Sequence, residues 1–117
     1  MPDAAKPVSK SQTTITELMI PSYANFGGKI HGGILLSLMD KVAYACSSKH
    51  AGTYCVTVSV DRVEFLKPVD VEKEIVVEAF ETEQKGRNLF YTGEIHNESG
   101  QLLARGKGRF VIIAPRT

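Results

Sequence analysis

The sequence predicts an α+β fold in which one long central helix is wrapped by a curved antiparallel β-sheet of about five strands. Two observations predict it. A single stretch with helical apolar spacing, Ile34 to His50, follows one short β-branched run. Four further runs of strand character then follow, joined by short turns. Strand, helix and then meander is an α+β layout.

Each element has its own signal. TTITELMI, Thr13 to Ile20, is β-branched and alternating, with Ile15, Glu17 and Met19 on one side, and it stops at Pro21. The residues before it, 1–12, read as a flexible polar arm, which leaves 13–117 as a single domain. PSYANFGGKIHGG is a glycine-rich loop. In the helix, Ile34, Leu35, Leu38, Met39, Val42, Ala43 and Cys46 form a wide apolar face. The helix is apolar nearly all round up to Ala45, so it is expected to be mostly buried. Lys49 and His50 suit the negative end of its macrodipole, and Gly52 suits a stop.

TYCVTVSVDRVEFLKPV is a long second strand. Tyr54, Val56, Val58 and Val60 share one parity, while Val63 and Phe65 take the other. The slip at Asp61-Arg62 predicts a β-bulge. EIVVEAFETEQ is the third strand, turning at Lys85-Gly86-Arg87-Asn88. NLFYTGEIHN is the fourth, with Leu89, Tyr91 and Ile95 on one face, and it turns at Asn97-Glu98-Ser99-Gly100. In the fifth, QLLARGKGRFVIIA, the positions Leu102, Ala104, Gly106, Gly108, Phe110 and Ile112 alternate with Leu103, Arg105, Lys107, Arg109 and Val111. The far face and the edges of such a sheet need cover, so a dimer at least is expected.

Composition narrows the class. The 117 residues are 43% hydrophobic and 23% charged, ordinary values for a globular domain. A net charge of +1 lacks the clustered basic excess that nucleic acid demands. Cys46 and Cys55 have no metal or redox spacing, and the simplest reading is a cytoplasmic chain with reduced thiols. The N-terminus lacks the apolar core of a signal peptide, and no apolar run approaches the ~18 residues of a membrane span. His50 and His96 have no partners at ligand spacing, so no metal site is expected.

The chemistry concentrates in NFGGKIHGGILLSLMD. A helix start presents unpaired N–H groups and a positive dipole end, and glycines there let a ligand approach the backbone. Such a start suits a phosphate, or an oxyanion growing on a carbonyl. The spacing is neither a P-loop nor a dinucleotide fingerprint. Asp40 lies deeper in the helix among Leu38, Met39, Val42 and Ala43. A carboxylate there is either paired, with Lys41 or a hydroxyl such as Ser37 or Tyr44, or poised as a nucleophile or general base. Gly32 and Asp40 are eight positions apart, roughly 12 Å along a helix. One carbonyl does not easily touch both, so a composite site across a two-fold dimer interface is expected, with Gly32 of one chain facing Asp40 of the other.

These residues resemble the hotdog-fold acyl-CoA thioesterases. Asn25, Gly28, His31-Gly32-Gly33, Leu35, Met39-Asp40 and Ala43 resemble the phenylacetate-pathway type and the brain-type acyl-CoA hydrolases, and VTVSVDRVEFLKPV is similar to the strand after the helix in the latter. The resemblance covers roughly residues 13 to 113. It implies acyl-CoA hydrolysis, with CoA as part of the substrate and no separate cofactor. Asp40 would be nucleophile or general base. Asn25 would hold the lytic water or the thioester carbonyl. The Gly32 N–H, with Gly33, would form the oxyanion hole, and His31 would orient the loop or the carbonyl. It also implies a homodimer assembled further into a tetramer or hexamer.

Other residues were weighed beside these. Lys85, Gly86 and Arg87, with Arg105, Lys107 and Arg109, either meet the phosphates of CoA or are solvated sheet charge. Val58, Ser59, Val60 and Arg62, at the expected bulge, would line the pantetheine channel on the strength of the resemblance. Tyr44 and Tyr54 are read as core, and Asp61 as structural. Two alternatives stay open: a 3-hydroxyacyl-thioester dehydratase using His31 with Asp40, and an acyl-CoA-binding domain without turnover.

Overall fold

The computed structural model describes residues 12–113; most of the expected N-terminal arm and the expected end of the last strand at Ala114 lie outside them. The element order is β1 (Gln12–Leu18), a 3₁₀ turn (Pro21–Tyr23), α1 (Gly32–Ala51), β2 (Cys55–Phe65), β3 (Glu74–Lys85), β4 (Asn88–Asn97) and β5 (Leu102–Ile112). The strands form one antiparallel sheet in the order β1-β3-β4-β5-β2, which leaves β1 and β2 as edges. This is the wrapped-helix arrangement that the sequence predicts. The helix begins two residues earlier than its apolar spacing, because Gly32 and Gly33 supply the first turn. It ends at Gly52, whose left-handed φ of 71° and N–H bond to the Ser48 carbonyl at 2.8 Å close the last turn.

Alternation decides which side of the sheet meets the helix. Ile75, Val77 and Ala79 of β3, Leu89, Tyr91 and Ile95 of β4, and Ala104, Phe110 and Ile112 of β5 are buried. They face Leu35, Met39, Val42, Ala43 and Cys46 of α1 within one core. The Met39 side chain packs directly on the backbone of the sheet. A Cβ on Gly93 would stand 2.5 Å from Met39 Cγ, and one on Gly106 would stand 2.8 Å from Met39 Sδ. Gly93 and Gly106 are register partners on β4 and β5, so together they make a flat seat for this side chain. Gly108 is tighter for a different reason: its Cβ would fall 2.4 Å from the Ser59 backbone carbonyl and 2.7 Å from the Tyr91 hydroxyl.

β2 carries two irregularities, between Thr57 and Ser59 and between Val60 and Arg62. The second is the predicted bulge. The first was not visible in the alternation, because valines at 56, 58 and 60 keep the pattern intact across it. A further irregularity in β3, between Glu81 and Glu83, was also missed.

Two expectations of burial fail in the single chain. Tyr44 is 41% exposed and Tyr54 57% exposed. Tyr44 lies with Ser37 and Ala45 on a helix face that the described residues leave exposed, its ring reaching Phe110 at 6.3 Å between centroids, and Tyr54 immediately precedes edge strand β2. The helix is therefore buried on one side only.

The core also contains an acid. Glu81 is 3% exposed; its Oε1 accepts a bond from Ser47 Oγ at 2.5 Å, and its Oε2 has no partner among the described residues. Burial pushes its pKa up to about 7, against the opposing hydrogen bonds from Ser47 and Cys46. In the unfolded chain the same group ionises near its ordinary 4.5. Stability therefore falls as pH rises from about 4.5 to about 7, and then levels off. Urea midpoints at pH 5 and pH 8 test this. Glu81→Gln should gain about 2 kcal/mol on the parent between those two conditions; parallel behaviour of the two proteins would show that Glu81 does not titrate in the core. The glycine contacts give a second expectation. Gly108→Ala should cost about 3 kcal/mol or prevent folding, because backbone blocks its methyl, while Gly93→Ala should cost less because Met39 can shift. Equal midpoints for the two variants would contradict it.

Candidate active site

The loop before α1 is held by its own side chains. Asn25 Oδ1 accepts the Gly27 N–H at 2.9 Å and the Lys29 N–H at 3.1 Å. Ala24 and Ile30 form a bridge that closes the loop. The Ile30 N–H donates to the Val69 carbonyl and the His31 N–H to the Tyr23 carbonyl, both at 2.9 Å, and Lys29 forms an ion pair with Asp70. Asn25 thus uses its carboxamide oxygen to shape the turn, and the NH₂ remains for other work. Phe26 at the tip is 113% exposed.

His31 is the N-cap of α1, but its side chain makes no capping bond. Its carbonyl accepts the N–H groups of Ile34 and Leu35 at 3.1 and 3.3 Å. The N–H groups of Gly32 and Gly33 have no such partner, as the geometry of a helix start requires. No serine, threonine, asparagine or aspartate stands at the cap to accept from these two donors. A pocket of about 330 Å³ opens there, lined by Ile30, Gly32, Leu35, Phe65, Leu66 and Pro68 among others. The Phe65 ring lies against Gly32, 3.2 Å from where a Cβ would sit, whereas the space at Gly33 is open. A larger recess, about 460 Å³, lies between the β2–β3 connection and the β4–β5 turn and holds none of the predicted site residues.

Asp40 is half-buried in mid-helix. Its Oδ1 accepts a hydrogen bond from Thr57 Oγ1 of β2 at 3.1 Å. Neither Lys41, Ser37 nor Tyr44 supplies the partner that local helical spacing suggested. Thr57 is the residue that sequence reasoning missed. Its signal was available: it shares parity with Cys55, which is buried, so a hydroxyl at that position faces the helix.

The structure brings Asn25, His31, Gly32 and Gly33 together at one end of α1 and Asp40 with Thr57 at its middle. It does not bring the two groups together within one chain, since eight helical residues span roughly 12 Å. Val58, Ser59, Val60 and Arg62 lie on edge strand β2, with Val58 and Val60 exposed. Lys85, Gly86 and Arg87 make the β3–β4 turn at the other end of the sheet. There the 2.9 Å contact between His50 and Gln84 ties them to the last turn of the helix. Asp61 is exposed at the second irregularity of β2. His96 lies 3.6 Å from Glu94, Cys46 and Cys55 are buried thiols, and the described residues contain no group of three or more possible metal ligands.

Residues 27–104 match the model of the thioesterase superfamily. The chain is 44% identical over 62 residues to protein VdlD of Helicobacter pylori, covering 53% of this chain and 36% of that one. It is 41% identical over 58 residues to the human cytosolic acyl coenzyme A thioester hydrolase, covering 50% of this chain and 15% of the human one. The chain thus spans well under half the length of these two relatives. Among solved structures, the acyl-CoA hydrolase of Staphylococcus aureus, in complex with butyryl coenzyme A, coenzyme A and coenzyme A disulfide, superposes with a TM-score of 0.87 at 26% identity, over 94% of this chain and 68% of that one. The same enzyme has also been solved as alanine variants of an asparagine, an aspartate and a threonine, spaced along that chain as Asn25, Asp40 and Thr57 are along this one.

The Asn25 geometry gives an expectation of its own. Asn25→Ala should lose about 1 kcal/mol by removing both loop bonds, while Asn25→Asp, which keeps the oxygen, should melt near the parent. Thermal unfolding of the pair separates shaping the loop from the chemistry of the NH₂; equal losses would show that the oxygen is not what braces the turn.

Proposed function

Since this chain belongs to the thioesterase superfamily, we propose that it hydrolyses acyl-CoA thioesters to the free acid and CoA. The observation that carries the reading is the Thr57–Asp40 hydrogen bond, which fixes a mid-helix carboxylate on the inner side of β2. A carboxylate held there by a hydroxyl suits a general base or a nucleophile. The asparagine, aspartate and threonine recur in the spacing of the Staphylococcus aureus variants, which supports assigning all three side chains to one site.

In this reading the thioester carbonyl lies at the helix start. The N–H groups of Gly32 and Gly33 donate to its oxygen as the tetrahedral oxyanion forms, a contribution of about 3 kcal/mol for a well-placed donor. Asn25 uses its NH₂ on the carbonyl or on the lytic water, and His31 orients the same loop. Asp40 takes a proton from the water that displaces the CoA thiolate, or itself attacks the carbonyl and expels the CoA thiolate as the C–S bond breaks, giving an anhydride that water then opens; Thr57 keeps its carboxylate aimed. The bulged stretch Val58 to Arg62 lines the pantetheine arm.

The ~12 Å between Gly32 and Asp40 makes the site composite. What supports a dimer is the unpaired edge of β2, with Val58, Val60 and Phe65 exposed, and the uncovered face of α1 at Tyr44. An edge that long and apolar is normally covered. Pairing two copies about a two-fold axis sets the two helices antiparallel, with Asp40 of one chain opposite Gly32 of the other.

Thiol release from a panel of acyl-CoAs tests the chemistry. Asp40→Asn should lower turnover by about 10³-fold and Thr57→Val by about tenfold, both with the fold intact. Full turnover in Asp40→Asn would overturn the assignment. Mixing the inactive Asp40→Asn and Asn25→Ala proteins and allowing exchange should restore about a quarter of parent activity if sites are shared between chains. No recovery, with exchange demonstrated, would place all the groups of a site in one chain.

A further inference from the structure

The outer face of the sheet, away from the helix, gathers cations of which the chemistry above uses only Arg62. Arg62 of β2 and Lys107 of β5 are register partners, and Arg105 lies two residues from Lys107 on the same side of β5. Like charges directly opposite each other on adjacent strands oppose folding. In a chain whose net charge is +1, three cations are thus gathered where they repel. One carboxylate, Glu64, sits among them. Its Oε1 is 3.0 Å from Arg105 Nε and 3.4 Å from Arg62 Nε. Both contacts use Nε, so each guanidinium keeps its terminal nitrogens for another acceptor. These residues surround a recess of about 290 Å³ whose wall on β4 is Thr92, a short side chain with a hydroxyl. Glu94, the register partner of Arg105 on β4, is a second acid on this face and lies 3.6 Å from His96, so the three cations outnumber the acids by one. Arg109, the next cation along β5, is engaged by the Asn88 side chain at 2.8 Å and does not enter the set.

We propose that this recess is a binding site for a phosphate-bearing anion, held by Arg62, Arg105 and Lys107 with the Thr92 hydroxyl. Glu64 acts as a brace that aims the two guanidinium groups. The neighbouring arginines suit phosphate because their planar donors meet its oxygens in pairs. A bound anion offsets the excess charge and the repulsion between Arg62 and Lys107. The chemistry has two sources, the phosphates of CoA itself or a free phosphoanion such as a nucleotide. The first rests on the hydrolase reading above; the existence of the site does not.

Titration calorimetry with inorganic pyrophosphate, ADP and CoA tests the site without turnover, using the full chain and its Asp40→Asn form so that failure of the hydrolase reading cannot mask it. Lys107→Gln and Arg62→Gln remove one charge each and leave the Glu64–Arg105 pair intact. Each should weaken pyrophosphate binding about tenfold and flatten its salt dependence. Kinetics then separates the sources. If the ligand is the substrate, Lys107→Gln raises KM for acyl-CoA and leaves KM for an acyl-pantetheine thioester, which lacks the nucleotide phosphates, unchanged. If it is a free anion, KM for both substrates stays put while binding of added pyrophosphate or ADP is lost. Binding of all three probes at parent strength in correctly folded variants would overturn the proposal, as would the absence of binding by the parent.

Discussion

The contact on which the rest of this structure depends is the seating of Met39 on Gly93 and Gly106. The two glycines face each other on the central strands and remove the side chains that would hold a helix off the sheet. α1 can then settle into the concave face, with Leu35, Val42, Ala43 and Cys46 filling the core on either side. Burying side chains of this size is worth roughly 1.5–3 kcal/mol each, which makes this one-sided packing the main support of a small domain. It also sets the position of the next residue. Asp40 follows Met39, so the depth at which the methionine sits fixes where the carboxylate emerges and allows Thr57 to reach it.

The same helix separates the functional groups. Its first turn begins with two glycines and no polar cap, and the donors left over collect at that end. Its middle carries the acid, and its last turn is tied down by His50 and by the glycine that follows. A rigid rod cannot bend its own N-terminus to its own midpoint, so an association that sets a second rod beside it is the direct way to join the two groups. The open β2 edge and the uncovered side of α1 lie where such an association would form.

Polar groups in unfavourable places mark the remainder of the molecule. Glu81 is an acid kept in the core with one oxygen bonded and one without a partner among the described residues, and burial moves its titration toward neutrality. On the outer face, Arg62 and Lys107 stand opposite each other, with Glu64 bridging Arg62 to Arg105. Neither arrangement follows from the demands of folding. The first makes stability depend on pH, and the second presents organised positive charge to solvent.

By itself the sequence determined the element order, the span of the helix to within two residues, the second bulge of β2, and the gathering of Asn25, His31, Gly32 and Gly33 at a helix start. These are local: they follow from the period of apolar residues, from turn residues, and from what a helix end leaves unbonded. It also indicated, through the length of a helical rise, that Gly32 and Asp40 lie roughly 12 Å apart along one helix. The tertiary structure alone decided who holds Asp40. Helical spacing pointed to Ser37 and Tyr44, and the hydroxyl came from Thr57, seventeen residues on, because strand packing and not helix geometry brings it near. It likewise decided that Tyr44 and Tyr54 are exposed, since parity tells which residues share a side but not whether anything lies opposite. The pairing of Arg62 with Lys107 was out of reach for the same reason: two bulges shift the register of β2, and a register is a property of two strands together.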